Sequence, residues 1–167
     1  MQTSMSSTRT SVSELTKIAL VASLYVAVTV MLSVISFGAV QLRIAEMFNY
    51  LALYHKRYVI AVTLGVVLAN FMSPTWILDV PIGGLATFIV LLLCRAVTKN
   101  IENMKVKMVV TALIVTASMF TVAAQLTIML DLPFWPTYFT VAVGELLSMT
   151  VGGVTIHLLN KKLNFAK

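Results

Sequence analysis

The sequence predicts an all-α membrane protein that forms one six-helix bundle, and two observations support this. Of its 167 residues, 59% are hydrophobic and 11% are charged, and the mean hydropathy is +0.96. Soluble domains are usually about 45–50% apolar and about 25% charged. In addition, runs of about 20 apolar residues recur, and a helix of that length crosses about 30 Å of hydrocarbon. We therefore expect residues 1–167 to form a single transmembrane domain in the cell membrane.

Six helices are predicted in chain order, at residues 17–37, 44–54, 58–72, 80–97, 108–130 and 137–159. The second and third are too short to cross a bilayer alone, so we expect their ends to be covered by protein or to line a cavity. Residues 1–14 are predicted to be a polar cytoplasmic tail. The apolar run after them is too long for a signal peptide and lacks a cleavage pattern, so the first helix is expected to be an uncleaved anchor.

The distribution of charges predicts the orientation, because cytoplasmic loops are enriched in lysine and arginine. With both termini in the cytoplasm, all twelve basic residues except Arg43 fall on the cytoplasmic side, namely Arg9, Lys17, Lys56, Arg57, Arg95, Lys99, Lys105, Lys107, Lys161, Lys162 and Lys167. Of the six acids, only Glu14 and Glu102 lie with them. The net charge of +6 therefore reflects membrane topology and does not indicate nucleic-acid binding. A negative outer half favours a ligand that is cationic or rich in hydrogen-bond donors.

Several polar side chains interrupt the apolar sequence on the predicted outer side. Such groups cost free energy at membrane depth unless they pair, face a cavity or bind a ligand. We predict that they form the wall of a small-molecule pocket. The predicted substrate-binding residues are Gln41, Arg43, Glu46, Asn70, Trp76, Asp79, Trp135 and Glu145.

For four of these residues a purely structural role is an alternative to ligand binding. Arg43 and Glu46 are three apart and share a helix face, which is also typical of a structural ion pair. Asn70 follows an apolar run and is also suited to capping a helix or bonding to a loop. Asp79 precedes Pro81, a pattern that favours the N-cap of a helix. A cap and a ligand contact are compatible at that position.

Glu145 lies roughly 12 Å along the last helix from Thr137, at about 1.5 Å per residue. A carboxylate at that depth needs a donor partner or a raised pKa, and Arg43 is one candidate partner. Trp76 and Trp135 occur near predicted outer helix ends, where aromatic residues commonly form an interfacial belt. A flat heteroaromatic ligand would equally stack on one of them.

Two stripes of small residues recur at a spacing of four, which places each on one helix face. Such stripes allow helices to approach closely in lipid. Contact with another helix of this chain and contact with a partner protein are both open for the first-helix stripe, Ala19, Ser23 and Ala27. Packing within the chain is favoured for the last-helix stripe, Gly144, Ser148 and Gly152.

Motifs for chemistry are missing from the sequence. It has no GxxxxGK[ST] phosphate loop, no HExxH motif and no activated-serine arrangement. A single cysteine, Cys94, excludes an internal disulfide and a multi-cysteine metal site. His55 and His157 are isolated. We therefore predict a protein that is not an enzyme and has no cofactor or metal.

Three motifs give the chain a resemblance to a known family. They are QLRIAE at residues 41–46, LGVVLAN at 64–70 and DVPIGGLAT at 79–87. With these motifs the chain resembles the QueT-type family, the substrate-binding (S) components of energy-coupling factor (ECF) transporters that are assigned to queuosine precursors. The resemblance extends from the first helix to the last.

The resemblance implies a six-helix bundle with an extracytoplasmic pocket, a transmembrane partner called EcfT and two EcfA-type ATPases that supply the energy. It also implies that Ala19, Ser23 and Ala27 dock to EcfT. The implied cargo is a 7-deazaguanine, either the aminomethyl form or queuine. An S component for another small nitrogen-rich vitamin, or a stand-alone transporter that uses Glu145 for proton coupling, is the alternative.

Overall fold

The computed structural model describes residues 12–37, 41–163 and 165. The predicted tail up to residue 11, with Arg9, and the terminal Lys167 lie outside the described residues. In the described residues six helices follow one another, namely α1 (Val12–Met31), α2 (Ile44–Leu53), α3 (Arg57–Asn70), α4 (Trp76–Thr98), α5 (Met104–Leu130) and α6 (Phe134–Asn160). A separate helical turn, Ser33–Ser36, comes after α1.

The described residues contain helices and no strands, so the predicted all-α class is confirmed. Four helices, α1, α4, α5 and α6, are long and apolar enough to cross a membrane, whereas α2 and α3 are shorter. Large apolar side chains such as Leu113, Ile128 and Phe139 are exposed on the outside of the bundle. A soluble protein rarely exposes so much apolar surface, and lipid covers it in a membrane. The six crossings and the cytoplasmic termini stay predictions.

Several helices begin earlier than predicted, because their first turns contain polar residues or lie beside proline. α5 begins at Met104, where the Asn103 side chain caps it by accepting a hydrogen bond from the Lys105 N–H at 2.9 Å. α6 begins directly after Pro133. The sequence prediction starts each helix where the apolar sequence resumes. Caps are polar, so that criterion starts a helix too late.

α1 and α3 pack closely through a glycine. The Tyr25 side chain of α1 is fully buried. A Cβ atom on Gly65 of α3 would lie 2.7 Å from the Tyr25 Cβ. The missing side chain at Gly65 therefore lets Tyr25 pass between the two helices toward the interior.

α6 packs against α2 through its small-residue stripe. Gly144, Ser148 and Gly152 are all buried, which confirms the predicted packing within the chain. A Cβ atom on Gly152 would lie 2.7 Å from the Met47 Cα of α2. The Tyr50 hydroxyl donates a hydrogen bond to the Met149 carbonyl at 3.0 Å, which ties α2 to the same stretch of α6.

One end of the bundle gathers the basic residues. Glu14 and Arg57 form an ion pair of 3.6 Å, which joins the start of α1 to the start of α3. Arg95, near the end of α4, donates to the Ala52 carbonyl near the end of α2. This bond covers a backbone group at the end of a short helix, as the sequence led us to expect.

α4 is irregular near its start. Pro81 has no N–H to donate, and residues Asp79–Gly83 form a π turn between two α-helical segments. The Leu78 and Asp79 carbonyls accept hydrogen bonds from two side-chain amides, those of Gln125 at 3.4 Å and Asn70 at 2.7 Å. Side chains of α3 and α5 thus satisfy backbone groups at the break in α4.

The neighbouring glycines of α6 offer a matched test of the α2–α6 contact. Gly152→Ala places a methyl group against the Met47 backbone, so we expect a loss of about 1–3 kcal/mol in the free energy of unfolding. Gly153→Ala meets only the end of the Tyr50 side chain, at 3.3 Å, and should cost less. Thermal unfolding of both purified variants in detergent measures the difference. Equal losses would contradict this packing.

Candidate functional site

A cavity lies among α2, α3, α4, α5 and α6. The cavity volume is about 70 Å³, which is below the about 300–1,000 Å³ typical of small-molecule sites, so a ligand of that size would have to widen the cavity. Six of the eight residues predicted to bind substrate line it, namely Gln41, Arg43, Glu46, Asn70, Asp79 and Glu145. The structure thus gathers residues that are far apart in the sequence.

The helix type of α2 places one row of polar residues along the cavity. α2 is a 3₁₀ helix with three residues per turn, so side chains three apart eclipse one another. Arg43, Glu46 and Asn49 follow this spacing, and all three line the cavity. An Arg43 guanidinium nitrogen lies 3.8 Å from a Glu46 oxygen. The Asn49 amide donates to the other Glu46 oxygen.

α1 supplies a further donor to Glu46. The Tyr25 hydroxyl donates a hydrogen bond of 2.6 Å to Glu46 Oε1. Each Glu46 oxygen therefore has a hydrogen-bond donor within the protein, and Arg43 balances the charge. The Arg43–Glu46 pair has the structural role that the sequence left open, although both residues also line the cavity.

The surroundings of Glu145 differ from those of Glu46. Its side chain is buried at 3% exposure in the middle of α6. Its Oε1 has no hydrogen-bond partner within the described part of the chain. The direct ion pair with Arg43 that the sequence suggested is not formed, since Arg43 pairs with Glu46; Arg43 and Glu145 attract each other only at longer range. Burying a carboxylate without a donor is costly, so Glu145 is the residue of this wall most in need of a ligand.

Asn70 ends α3 at the cavity. Its Nδ2 donates to the Asp79 carbonyl at 2.7 Å, and its Oδ1 has no partner among the described residues. A Cβ atom on Gly83 would lie 2.5 Å from the Asn70 Nδ2. The glycine therefore leaves room for the amide to reach α4.

The Asp79 carboxylate accepts hydrogen bonds from the hydroxyls of Ser73 and Thr75. The interpretation of Asp79 as the N-cap of a helix is wrong. α4 begins three residues earlier, at Trp76, and Asp79 opens the π turn. Two hydroxyls from the α3–α4 connection hold it at the edge of the cavity.

Neither predicted tryptophan lines the cavity. Trp76 is half-exposed and stacks on Phe71 with ring centroids 6.1 Å apart. Trp135 is 65% exposed and lies beside Phe134 and Tyr138. Their positions match the belt interpretation, because clustered aromatic rings at helix ends are typical of a membrane interface. Stacking of either ring on a ligand stays a prediction.

Sequence reasoning missed several residues at this site, among them Asn49, Gln125 and Tyr25. Asn49 repeats the spacing of three that connects Arg43 with Glu46, so that spacing was a usable signal. Gln125 is a lone amide in an apolar stretch, as Asn70 is, and it also lines the cavity. Tyr25 gave no signal, because a tyrosine in an apolar helix does not reveal that its hydroxyl reaches Glu46.

A shallow apolar groove lies on the outside of α1 and α3. Ala19, Ser23 and Ala27 are exposed along it, and Leu64 and Leu68 of α3 form its other side. The Ser23 hydroxyl donates to the Ala19 carbonyl at 2.7 Å, so no free donor interrupts the apolar surface. Within the described residues this stripe is not covered by the chain's own helices.

His55 is held by a neighbouring arginine. His55 Nδ1 accepts hydrogen bonds from the Arg57 backbone N–H at 3.1 Å and Nε at 2.8 Å. Burial, and then the Arg57 charge, lower the pKa of His55. In the part of the chain that the structure describes, no group of three or more His, Cys, Asp or Glu side chains is arranged to hold a metal ion.

Comparisons with known proteins point in one direction. The sequence profile of the family described as QueT transporter matches residues 15–161. The chain is 37% identical over 163 residues to the "Queuosine precursor transporter QueT" of Lactococcus lactis subsp. cremoris (strain MG1363), covering 92% of this chain and 96% of that protein. No solved structure matches the chain.

Two tyrosines test the hydrogen-bonding of Glu46. Tyr25→Phe removes a buried donor from a carboxylate, so we expect the free energy of unfolding to fall by about 1–3 kcal/mol. Tyr54→Phe is the matched control, because the Tyr54 hydroxyl is buried with no partner among the described residues and its removal should cost little. Thermal unfolding of both variants measures this difference. A loss in Tyr54→Phe as large as that in Tyr25→Phe would contradict the assignment.

Proposed function

Because this chain belongs to the QueT transporter family, we propose that it captures a queuosine precursor outside the cell and passes it into the cell as the S component of an ECF-type importer. The chain is a multi-pass protein of the cell membrane. Its proposed cargo is a 7-deazaguanine, either the aminomethyl form or queuine.

The observation that carries this proposal is the Glu145 carboxyl group in the cavity wall, which has no hydrogen-bond donor among the described residues. A guanine-like edge presents adjacent N–H donors, which one carboxylate accepts as a bidentate pair. The oxo group of the base requires a donor, and Arg43 lines the same cavity. The amine of the cargo is a cation, and Asp79 provides a further carboxylate at the edge. An anionic vitamin fits this acidic wall less well.

In the proposed topology all six helices lie within the membrane as transmembrane segments, and both termini are in the cytoplasm. The contacts of Glu14 with Arg57 and of Arg95 with the Ala52 carbonyl support this topology, because they join helix ends next to basic loops. The side of these loops is assigned to the cytoplasm because positive loops are retained there. Arg43 and the open cavity then belong to the outer half.

Energy is proposed to come from partners, since the sequence has no phosphate loop of its own. The partners are the transmembrane EcfT subunit and two EcfA-type ATPases. Ala19, Ser23 and Ala27 are proposed to receive a helix of EcfT, because the exposed groove permits close approach of helices in lipid. ATP hydrolysis in the partners then resets the complex after release of the cargo.

The ligand is tested by identifying the small molecule that co-purifies with the protein, using mass spectrometry after denaturation. We expect a 7-deazaguanine. Recovery of another nitrogen-rich vitamin would keep the S-component role and replace the cargo.

The energy source is tested by measuring uptake of labelled precursor in cells with and without EcfT and the ATPases. We expect uptake only with the partners. Uptake that persists without them would overturn the ECF assignment in favour of a stand-alone, proton-coupled transporter.

The docking groove is tested with Ala27→Trp, which fills the groove with a large ring. We expect co-purification with EcfT to fall by more than tenfold while ligand affinity stays within about twofold, because the groove and the cavity have no lining residue in common. Ala96→Trp is the control, since Ala96 is exposed on α4. Unchanged co-purification in Ala27→Trp would contradict docking at α1.

A further inference from the structure

Three buried acceptor atoms distinguish the cavity from the rest of the bundle. Asn49 Oδ1, Asn70 Oδ1 and Glu145 Oε1 have no hydrogen-bond partner within the described residues. The three side chains are 2%, 2% and 3% exposed, and all three line the cavity. Nearly all buried acceptors in native proteins are bonded, so three open ones in a single wall require an explanation.

The other buried polar atoms without a partner in the described residues are all hydroxyls, mostly of threonine and serine. A hydroxyl rotates, and on a helix it readily bonds to a carbonyl of the preceding turn. Amide and carboxylate oxygens do not have that freedom. The open acceptors that cannot be satisfied locally are therefore confined to this cavity.

The hydrogen bonds that the Asn49 and Asn70 nitrogens donate fix the orientation of both amides and leave the oxygens as acceptors. Asn49 Nδ2 donates to Glu46, and Asn70 Nδ2 donates to the Asp79 carbonyl. Turning either amide over would place its oxygen against another oxygen. Both Oδ1 atoms are therefore buried acceptors without a partner in the described residues and cannot be exchanged for N–H groups.

Several donors on the cavity wall are already committed. The hydroxyls of Ser118 and Thr121 donate to helix carbonyls, and the Gln125 amide donates to the Leu78 carbonyl. Arg43 keeps guanidinium N–H groups beyond its contact with Glu46, since it has five donors. The wall thus offers several acceptors around one strong donor.

We infer that Asn49, Asn70 and Glu145 are the specificity-determining residues of this site, and that they select a planar base with an exocyclic amino group and ring N–H donors. This inference rests on the proposed function and specifies how the cargo is read. A base without the amino group leaves one acceptor desolvated and unbonded. Sites built to bond a ligand donor reject analogues that lack it, and one lost donor corresponds to about 10- to 100-fold in affinity.

The experiment compares 7-deazaguanine with 7-deazahypoxanthine, which has the same rings without the exocyclic amine. Calorimetric titration of the purified full chain gives both dissociation constants. We expect the wild-type protein to bind 7-deazaguanine at least tenfold more tightly. In Glu145→Gln, which replaces an acceptor with a donor of the same shape, we expect that ratio to fall to within about threefold. Glu102→Gln is the matched control, because Glu102 is exposed outside the cavity.

Thermal unfolding of the ligand-free proteins separates recognition from a structural role. Glu145→Gln replaces a buried carboxyl group that has no hydrogen-bond donor in the described residues, so the ligand-free variant should be as stable as the wild type or more so. A structural role predicts a loss of stability together with a retained ratio, and that result would overturn the inference. The wild-type measurement is a test that needs no variant, since equal binding of the two bases by the wild-type protein also overturns the inference.

The two failures can be told apart. A wild-type protein that binds neither base contradicts the proposed cargo and, with it, the inference. A protein that binds both bases equally leaves the proposed cargo intact and removes only the specificity assignment.

Discussion

The hydrogen-bonded carboxylate of Glu46 is the interaction on which the rest of the site depends. A carboxylate inside an apolar bundle needs donors, and Glu46 obtains them from Tyr25 on α1 and Asn49 on α2, with Arg43 balancing its charge. Meeting that requirement fixes the side of α2 that faces the cavity and brings α1 against it. Gly65 is part of the same arrangement, because a side chain there would block the path of Tyr25.

The two buried glutamates have different roles: Glu46 contributes to stability, and Glu145 is proposed to contribute to recognition. Glu46 is satisfied by the protein, and its removal would leave Arg43 and two donors without a partner. Glu145 lies in the same cavity without a donor among the described residues, so it lowers the stability of the empty protein. Groups that violate the usual rules of burial concentrate at functional sites. A ligand with N–H donors converts this cost into affinity and selectivity.

Much of the fold and part of the site could be predicted from the sequence. Composition and apolar runs were enough for the all-α membrane class, and the spacing of three between Arg43 and Glu46 was enough for their pairing. The lack of a direct ion pair at Glu145 was not predictable, because it depends on which of two acids, Glu46 or Glu145, lies nearer to Arg43 in the packed helices. The prediction of Trp76 and Trp135 as pocket residues depends only on their aromatic side chains. An aromatic side chain is suited both to a cavity wall and to a membrane interface, so it does not distinguish the two. Asn49 shows the opposite case, in which the spacing was sufficient and only the helix type was unknown.

In the proposed transport cycle the groove and the cavity are linked, since α1 and α3 form the groove, α3 also lines the cavity, and Tyr25 of α1 bonds to Glu46 in the cavity wall. The outer faces of these helices carry Ala27 and Leu64 along the groove, while Tyr25 passes inward beside Gly65 to reach Glu46. A helix that docks in the groove acts on the α1–α3 contact, and a shift there moves the donor on Glu46. A ligand in the cavity acts on the same contact from the inside. Thermodynamic linkage then requires the effects to be reciprocal: whatever docking does to ligand affinity, the ligand does to docking by the same factor.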